Sequence, residues 1–340
     1  MTRAAPSPYC LTFKPRFVEK LWGGRKLSTE LGKVLPPGKQ IGESWELYDF
    51  PPGVVDSSTA WISSEIAGGP CEGKPLHWVV EQWGPDLYGS AKLVGEHSQF
   101  PLLIKFLDAR EDLSVQVHPD SVYARQNPGA HLKTEAWYVL QSNPGSRLLN
   151  GLKSNVTQSQ FQAAIANGSV ENLIRAIQPT PGDCFYLPSG TVHALGAGIL
   201  VAEVQTPSDT TFRVFDFNRI DASTGKPRTL HVEQALKCID FSPAINQQAA
   251  GPTSESQLIS SPFFEIHRFN ITGGSVRPVP WGEPRIIMVV DGAAAIRNGD
   301  NATPIMRGQT ILIPAGVKRP EIHAASDFSW LEVSVPIGAK

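Results

Sequence analysis

Cysteine is scarce. The four residues Cys10, Cys71, Cys184 and Cys238 are scattered through 340 positions with no C-x-x-C spacing, which reads as ordinary reduced thiols and not as a disulfide framework. Long apolar runs are absent too. None approaches the ~20 residues of a membrane-spanning helix, and none near the N-terminus has signal-peptide length. Charge of one sign is equally thin: the formal net charge is −2 and no long basic or acidic stretch occurs, which argues against nucleic acid or a membrane surface as partner. The expectation is a soluble, cytoplasmic protein, a monomer or small homo-oligomer, that handles a small molecule.

Glycine (30) and proline (29) are plentiful. Between them lie short β-branched or aromatic runs, as in proteins of many short strands. Leu11–Phe17, Ser44–Leu47, Ala60–Ile66 and Leu102–Phe106 are early examples. Pro75–Trp83 reads as a helix ended by Gly84-Pro85. Thr157 and Gln160 form a capping-box pattern ahead of Phe161, Ala164 and Ile165, with Gly168 as the stop. Ser169 then predicts a second helix over Val170–Ile177. This pair, about 157–178, reads as a helical insertion in a mainly β protein. Residues 242–257 turn small and polar, as linkers do, and 258–340 is again strands and turns. Gly182–Gly190 (GDCFYLPSG) echoes Gly308–Gly316 (GQTILIPAG), and Trp137–Leu140 echoes Ile287–Val290. Two related β domains follow, 1–241 and 258–340. In the second, Arg285 falls on Glu135 and Arg319 on His193, so a metal-free copy is expected.

The chemistry concentrates between Leu113 and Glu135. Gln116 and His118 alternate with Val115 and Val117, so a strand would turn both to one face. Glu135 opens the next β-rich run, and His193 stands just past a Pro-x-Gly corner. A neutral amide, two imidazoles and a carboxylate on one point are the makings of a metal site. Such a set would leave a divalent ion with a residual charge of +1, suited to stabilising developing anions. Glu203 stands in an apolar run and Arg213 alternates with Phe212 and Val214. Each is a candidate for the same interior, or else an ordinary surface or salt-bridge group.

The Gly-x5-Pro-x-Gly-x2-His pattern with an upstream His and Glu resembles the cupins, small double-sheet jelly rolls. Gln116 in place of a first His, and the late Glu135, narrow the likeness. Glu19–Gly24 (EKLWGG), Ile41–Leu47 (IGESWEL), Leu103–Ala109 (LIKFLDA), Leu113–Asp120 (LSVQVHPD), Lys133–Trp137 (KTEAW), Pro188–Leu195 (PSGTVHAL) and Ser208–Asp216 (SDTTFRVFD) together resemble the type I mannose-6-phosphate isomerases, in the short bacterial form. The resemblance implies two cupin-like jelly-roll domains and one Zn2+ per chain held by Gln116, His118, Glu135 and His193. It implies catalytic roles for Lys133, Glu203 and Arg213, and phosphate contacts at Ser114 and Arg219. The implied reaction interconverts mannose 6-phosphate and fructose 6-phosphate through an enediolate. Two other functions fit the same fold: a metal-dependent cupin oxygenase, disfavoured by Gln116 as fourth ligand, and a sugar-phosphate-binding protein without catalysis.

Overall fold

The computed structural model describes residues 5–55, 58–91, 93, 98–221, 224–242, 248–249 and 255–336. The fold is mainly β, as the spacing of turn residues predicts. A seven-stranded antiparallel sheet is its middle layer. At its heart Ile199–Gln205 pairs with Glu135–Ser142 on one side and Leu103–Ala109 on the other. Cys184–Leu187 and Gln248–Ala249 extend one flank, and Ile41–Leu47 and Arg16–Gly24 the other.

This sheet is buried on both faces, so its strands lack the apolar–polar alternation of a half-wet antiparallel sheet. Successive side chains still go to opposite sides. Ala136, Tyr138, Leu200, Ala202, Ile104 and Phe106 face one core, together with Ile286, Met288, Leu331 and Val333 of a six-stranded C-terminal sheet. Trp137, Val139, Ile199, Val201 and Leu107 face the other, against Leu148 and Leu195 of a five-stranded sheet. The outer face of that five-stranded sheet is covered by helices Gln158–Asn167 and Val232–Cys238, through Phe161, Ala164 and Ala235.

The C-terminal part pairs its six-stranded sheet with a four-stranded one, and Ile287, Val289, Ile296, Ile305, Ile311 and Trp330 fill the space between. The sequence echo has a structural counterpart. Glu135 pairs with Leu187, the residue before Pro188, and Arg285 pairs with Ile313, the residue before Pro314. Arg285 lies 3.8 Å from Glu332, and Arg319 is exposed.

Two local expectations are corrected. Gln158–Asn167 is the helix predicted, with the Thr157–Gln160 capping box and left-handed Gly168 in place. Val170–Ile177 is not a helix: Val170–Leu173 is one 3-10 turn, and Ile174–Ile177 is an edge strand on Leu148–Leu152. The open edge of Leu148–Leu152 offered main-chain partners, and β-branched Ile174 and Ile177 suit a pleated surface. In addition, Leu11–Thr12 leaves the N-terminal part to pair with Ile311 and Leu312 of the C-terminal sheet. The expected linker lies mostly outside the described residues, but Gln248–Ala249 within it is a strand and the strand Glu255–Ser260 begins in its last three residues.

Phe264 is fully buried between the middle and C-terminal sheets, its ring edge-on to Tyr186 at 6.2 Å. Phe264→Ala is expected to lower unfolding free energy by about 3–5 kcal/mol, read from urea denaturation. A loss under about 1 kcal/mol would mean the two layers do not depend on each other.

Candidate metal centre and active site

Two rows of side chains face each other across the N-terminal core. On the five-stranded sheet, Gln116 pairs with His193 on one neighbour and with Arg213 on the other. On the seven-stranded sheet, Glu203 stands between Trp137 and Lys105, and Lys105 pairs onward with Trp45. Glu135 begins its strand beside Gln205. Loops are strapped around this point by hydroxyls: Thr206 accepts from the Thr134 amide and donates to the Leu132 carbonyl, and Ser208 donates to the His131 carbonyl. Pro188–Gly190 is pinned by the Gly190 amide donating to the His118 carbonyl at 3.0 Å.

His118, Glu135 and His193 converge, with one donor atom from each within 4.8 Å of the others, and all three are buried. Each Nδ1 faces a backbone carbonyl, that of Thr210 at 3.0 Å for His118 and that of Thr191 at 2.9 Å for His193. A carbonyl only accepts, so the proton sits on Nδ1 and each Nε2 presents a lone pair. Those nitrogens lie 3.4 and 3.1 Å from the Glu135 oxygens. The Gln116 amide is 3.3 Å from Nε2 of His193. Nε2 of His118 and both Glu135 oxygens have no hydrogen-bond partner among the described residues. Buried lone pairs facing one another with no proton between them are costly, and a divalent cation satisfies all of them at once. The donor set fits such an ion.

Burial alone would raise the Glu135 carboxyl, but the Lys133 ammonium, 3.0 Å away, holds it well below the usual carboxylate range. Burial, with the Lys133 charge adding to it, pushes His118 down to about 3. The imidazole is thus kept neutral, as a ligand must be.

Beside this centre is a cavity of about 250 Å³ lined by Ser114, Gln116, Lys133, Trp137, Glu203 and Arg213, among others. A larger cleft of about 610 Å³ lies elsewhere, between Phe13, Leu31 and Met306. It touches none of the metal-centre residues, so size does not choose the site. Glu203 accepts from Nε1 of Trp137 at 2.8 Å and lies 3.1 Å from the Lys105 ammonium. Burial pushes its carboxyl upward, Lys105 pulls against that, and the Glu135 charge adds to the rise. A carboxyl poised in this way can hold or release a proton.

Residues 11–144 match a family model described as phosphomannose isomerase type I, catalytic domain. A mannose-6-phosphate isomerase of Streptococcus mutans is 34% identical over 304 residues, spanning 88% of this chain and 90% of its own length. The chain belongs to the type I mannose-6-phosphate isomerases, aldose–ketose isomerases by family. A further relative of that name from Bacillus subtilis is 32% identical over 314 residues, covering 90% of this chain and 93% of the relative. The solved structure of the mannose 6-phosphate isomerase from Bacillus subtilis superposes with a TM-score of 0.81 at 29% identity, over 96% of this chain and 99% of that one. A putative mannosephosphate isomerase from Archaeoglobus fulgidus, 19% identical over 98% of this chain and 99% of that one, shares the fold at a TM-score of 0.75.

Within this isomerase fold, eight of the nine expected site residues line the cavity or belong to the His118–Glu135–His193 cluster. Arg219 does not. Its Nη2 is 2.5 Å from Asp216, its Nε reaches the Asp216 carbonyl and its Nη1 bonds the Asp112 carbonyl. Every nitrogen of its fork is taken up behind the cavity wall. Sequence reasoning missed Lys105, Glu43, Lys20, Asp209 and Arg228, which all line the cavity. Lys105 was findable by the signal that marked Glu203, a charge with apolar residues on either side of it in its strand. Glu43 has a similar signal in Ile41–Leu47. Arg228 has no such signal, because it sits in a polar loop.

Lys20 and Lys105 lie 3.0 and 3.7 Å from Glu43, and Trp45 donates to it at 2.7 Å. Burial would raise this carboxyl, yet the two ammonium groups bring it down from 4.5 to about 2. A depressed folded value contributes stability that is complete above the unfolded value and is lost as pH falls through the folded one. Glu43→Gln should therefore sit about 3 kcal/mol below the parent near neutral pH. The gap should shrink to roughly half by about pH 3. Urea midpoints across that range check this, and a gap constant from about pH 6 to pH 3 would contradict it.

Proposed function

We propose that the chain interconverts mannose 6-phosphate and fructose 6-phosphate, with a zinc ion held by Gln116, His118, Glu135 and His193. The observation that carries this reading is the buried His118–Glu135–His193 cluster beside a cavity lined by five cations and three carboxylates, with Lys133 in that lining and 3.0 Å from Glu135. That excess of positive charge suits a phosphorylated sugar. When bound, the metal would supply a Lewis acid for the O1/O2 end of the open-chain sugar.

The chain's own groups account for the rest. Glu203 faces the cavity with a raised pKa and moves the proton between C1 and C2, directly or through a water. Lys133 is buried with its ammonium at 3.0 Å from Glu135, so its charge is fixed where enediolate oxygens develop. Arg213 has a buried Nε with no partner among the described residues, free for a substrate oxygen. The Ser114 hydroxyl lines the same wall and donates toward the phosphate. Trp22 and Trp137 close the cavity with apolar surface and exclude water.

A coupled assay with mannose 6-phosphate, run with and without a chelator, tests the reading. Turnover should vanish on chelation and return with zinc. Absence of turnover in the zinc-loaded protein would refute it. Glu203→Gln is expected to lower kcat by about 10²–10⁴-fold and to slow exchange of the C2 proton with solvent equally. Exchange at the parent rate would remove Glu203 from the proton path.

A further inference from the structure

At the arginine end of the cavity, two guanidinium groups hold one carboxylate and a third, that of Arg213, stands nearby. Asp216 receives Arg228 in a two-pronged contact, Nε on Oδ2 at 2.8 Å and Nη2 on Oδ1, and receives Arg219 on Oδ1 as well. Arg213 comes from the neighbouring position on the Gln116 row and spends Nη1 on the Thr229 carbonyl at 2.9 Å, one residue beyond Arg228. Three positive charges against one negative leave this corner with a surplus of two. Oxyanions of matching charge are the ligands that geometry and electrostatics favour.

The three arginines are not equivalent. Arg219 has no nitrogen left and does not line the cavity. Arg228 does line it, and its contacts to Asp216 use Nε and Nη2 only, so Nη1 has no partner among the described residues. The support behind this corner is strained. Phe217 and Asn218 both hold φ of 53°, a left-handed conformation that aromatic side chains rarely adopt. The Arg219 guanidinium lies over the Phe217 ring at 5.5 Å. That turn brings the chain back so that Arg219 can brace Asp216, and Asp216 in turn fixes the plane of Arg228.

We propose that Arg228, aimed by Asp216, is a phosphate-binding and specificity-determining residue of this site, and that Arg219 is part of the brace and not a ligand. The proposal rests on the phosphosugar reading given above. In it, Arg228 Nη1 and the free Arg213 nitrogens grip the 6-phosphate, with Ser114 on the same wall. An arginine fork is worth more here than a lysine, because two of its nitrogens can be locked on a carboxylate while the third still points at the ligand. Asp216 is then a positioning residue, felt through substrate affinity and not through the proton transfer.

The test uses full-length zinc-loaded protein. Arg228→Gln should raise KM for mannose 6-phosphate by about 10- to 100-fold, the loss of one charge-assisted hydrogen bond, with kcat changed by less than about 3-fold. Arg228→Lys should recover only part of that. Asp216→Asn should raise KM in the same direction without moving the pH profile of kcat, which a disturbed proton path would shift. Arg297→Gln removes an equal charge from the C-terminal sheet and should change neither constant. Calorimetric binding of inorganic phosphate to the parent and to Arg228→Gln is the second arm, with the parent's circular dichroism required of each variant. An unchanged KM and unchanged phosphate affinity in folded Arg228→Gln would overturn the proposal, as would a fall in kcat at constant KM. If the parent itself fails to turn over mannose 6-phosphate, the function above fails. Loss of phosphate binding in Arg228→Gln would then still support the anion site, and its persistence would overturn it.

Discussion

The site depends on keeping Glu135 ionised where water does not reach. A carboxylate buried without compensation would take up a proton. Here the Lys133 ammonium stands 3.0 Å away, and the backbone carbonyls of Thr210 and Thr191 dictate which nitrogen of each ring carries hydrogen. The protein thus holds several lone pairs against their mutual repulsion. A cation placed among those lone pairs would relieve the repulsion.

The arrangement is possible because the middle sheet is dry on both faces. Its inward-pointing Lys105, Glu203 and Glu43 lie among side chains with almost no exposure. They are tolerated because each has an opposite charge or a donor in reach. Outward-pointing Ala136, Tyr138 and Ala202 pack on the C-terminal sheet. The second unit, with its apolar interior, therefore acts on the first by covering the back of the strands that carry the polar row.

Much of this was legible in the chain. Alternation placed Gln116 and His118 on one face, the Pro-x-Gly corner delivered His193, and separate short motifs in the right order gave the fold. Legibility failed where partners decide conformation. Val170–Ile177 carries a helical apolar pattern, but a free strand edge was available at Leu148–Leu152, and part of it became a strand. Arg219 and Arg228 look alike as isolated charges in a polar loop. Only the contacts of Asp216 and of the Asp112 carbonyl show that one is spent and the other free. Lys105 stands among apolar neighbours in Leu103–Ala109, and only its contact with Glu203 shows that the charge points inward.

Leu11–Thr12 sits in the sheet formed by the last eighty or so residues, against Ile311 and Leu312. Nearly the whole polypeptide must therefore be made before this strand gains its C-terminal neighbour, although Thr12 and Lys14 also bond Ala67 and Glu65 close by in the chain. Until then that sheet lacks its outermost strand, and Leu11 lacks the cover that buries it. Long-range closures of this kind form late and slowly. Docking of Leu11–Thr12 onto Ile311 and Leu312 is therefore a late event in folding, and it ties the beginning of the described chain to its last sheet.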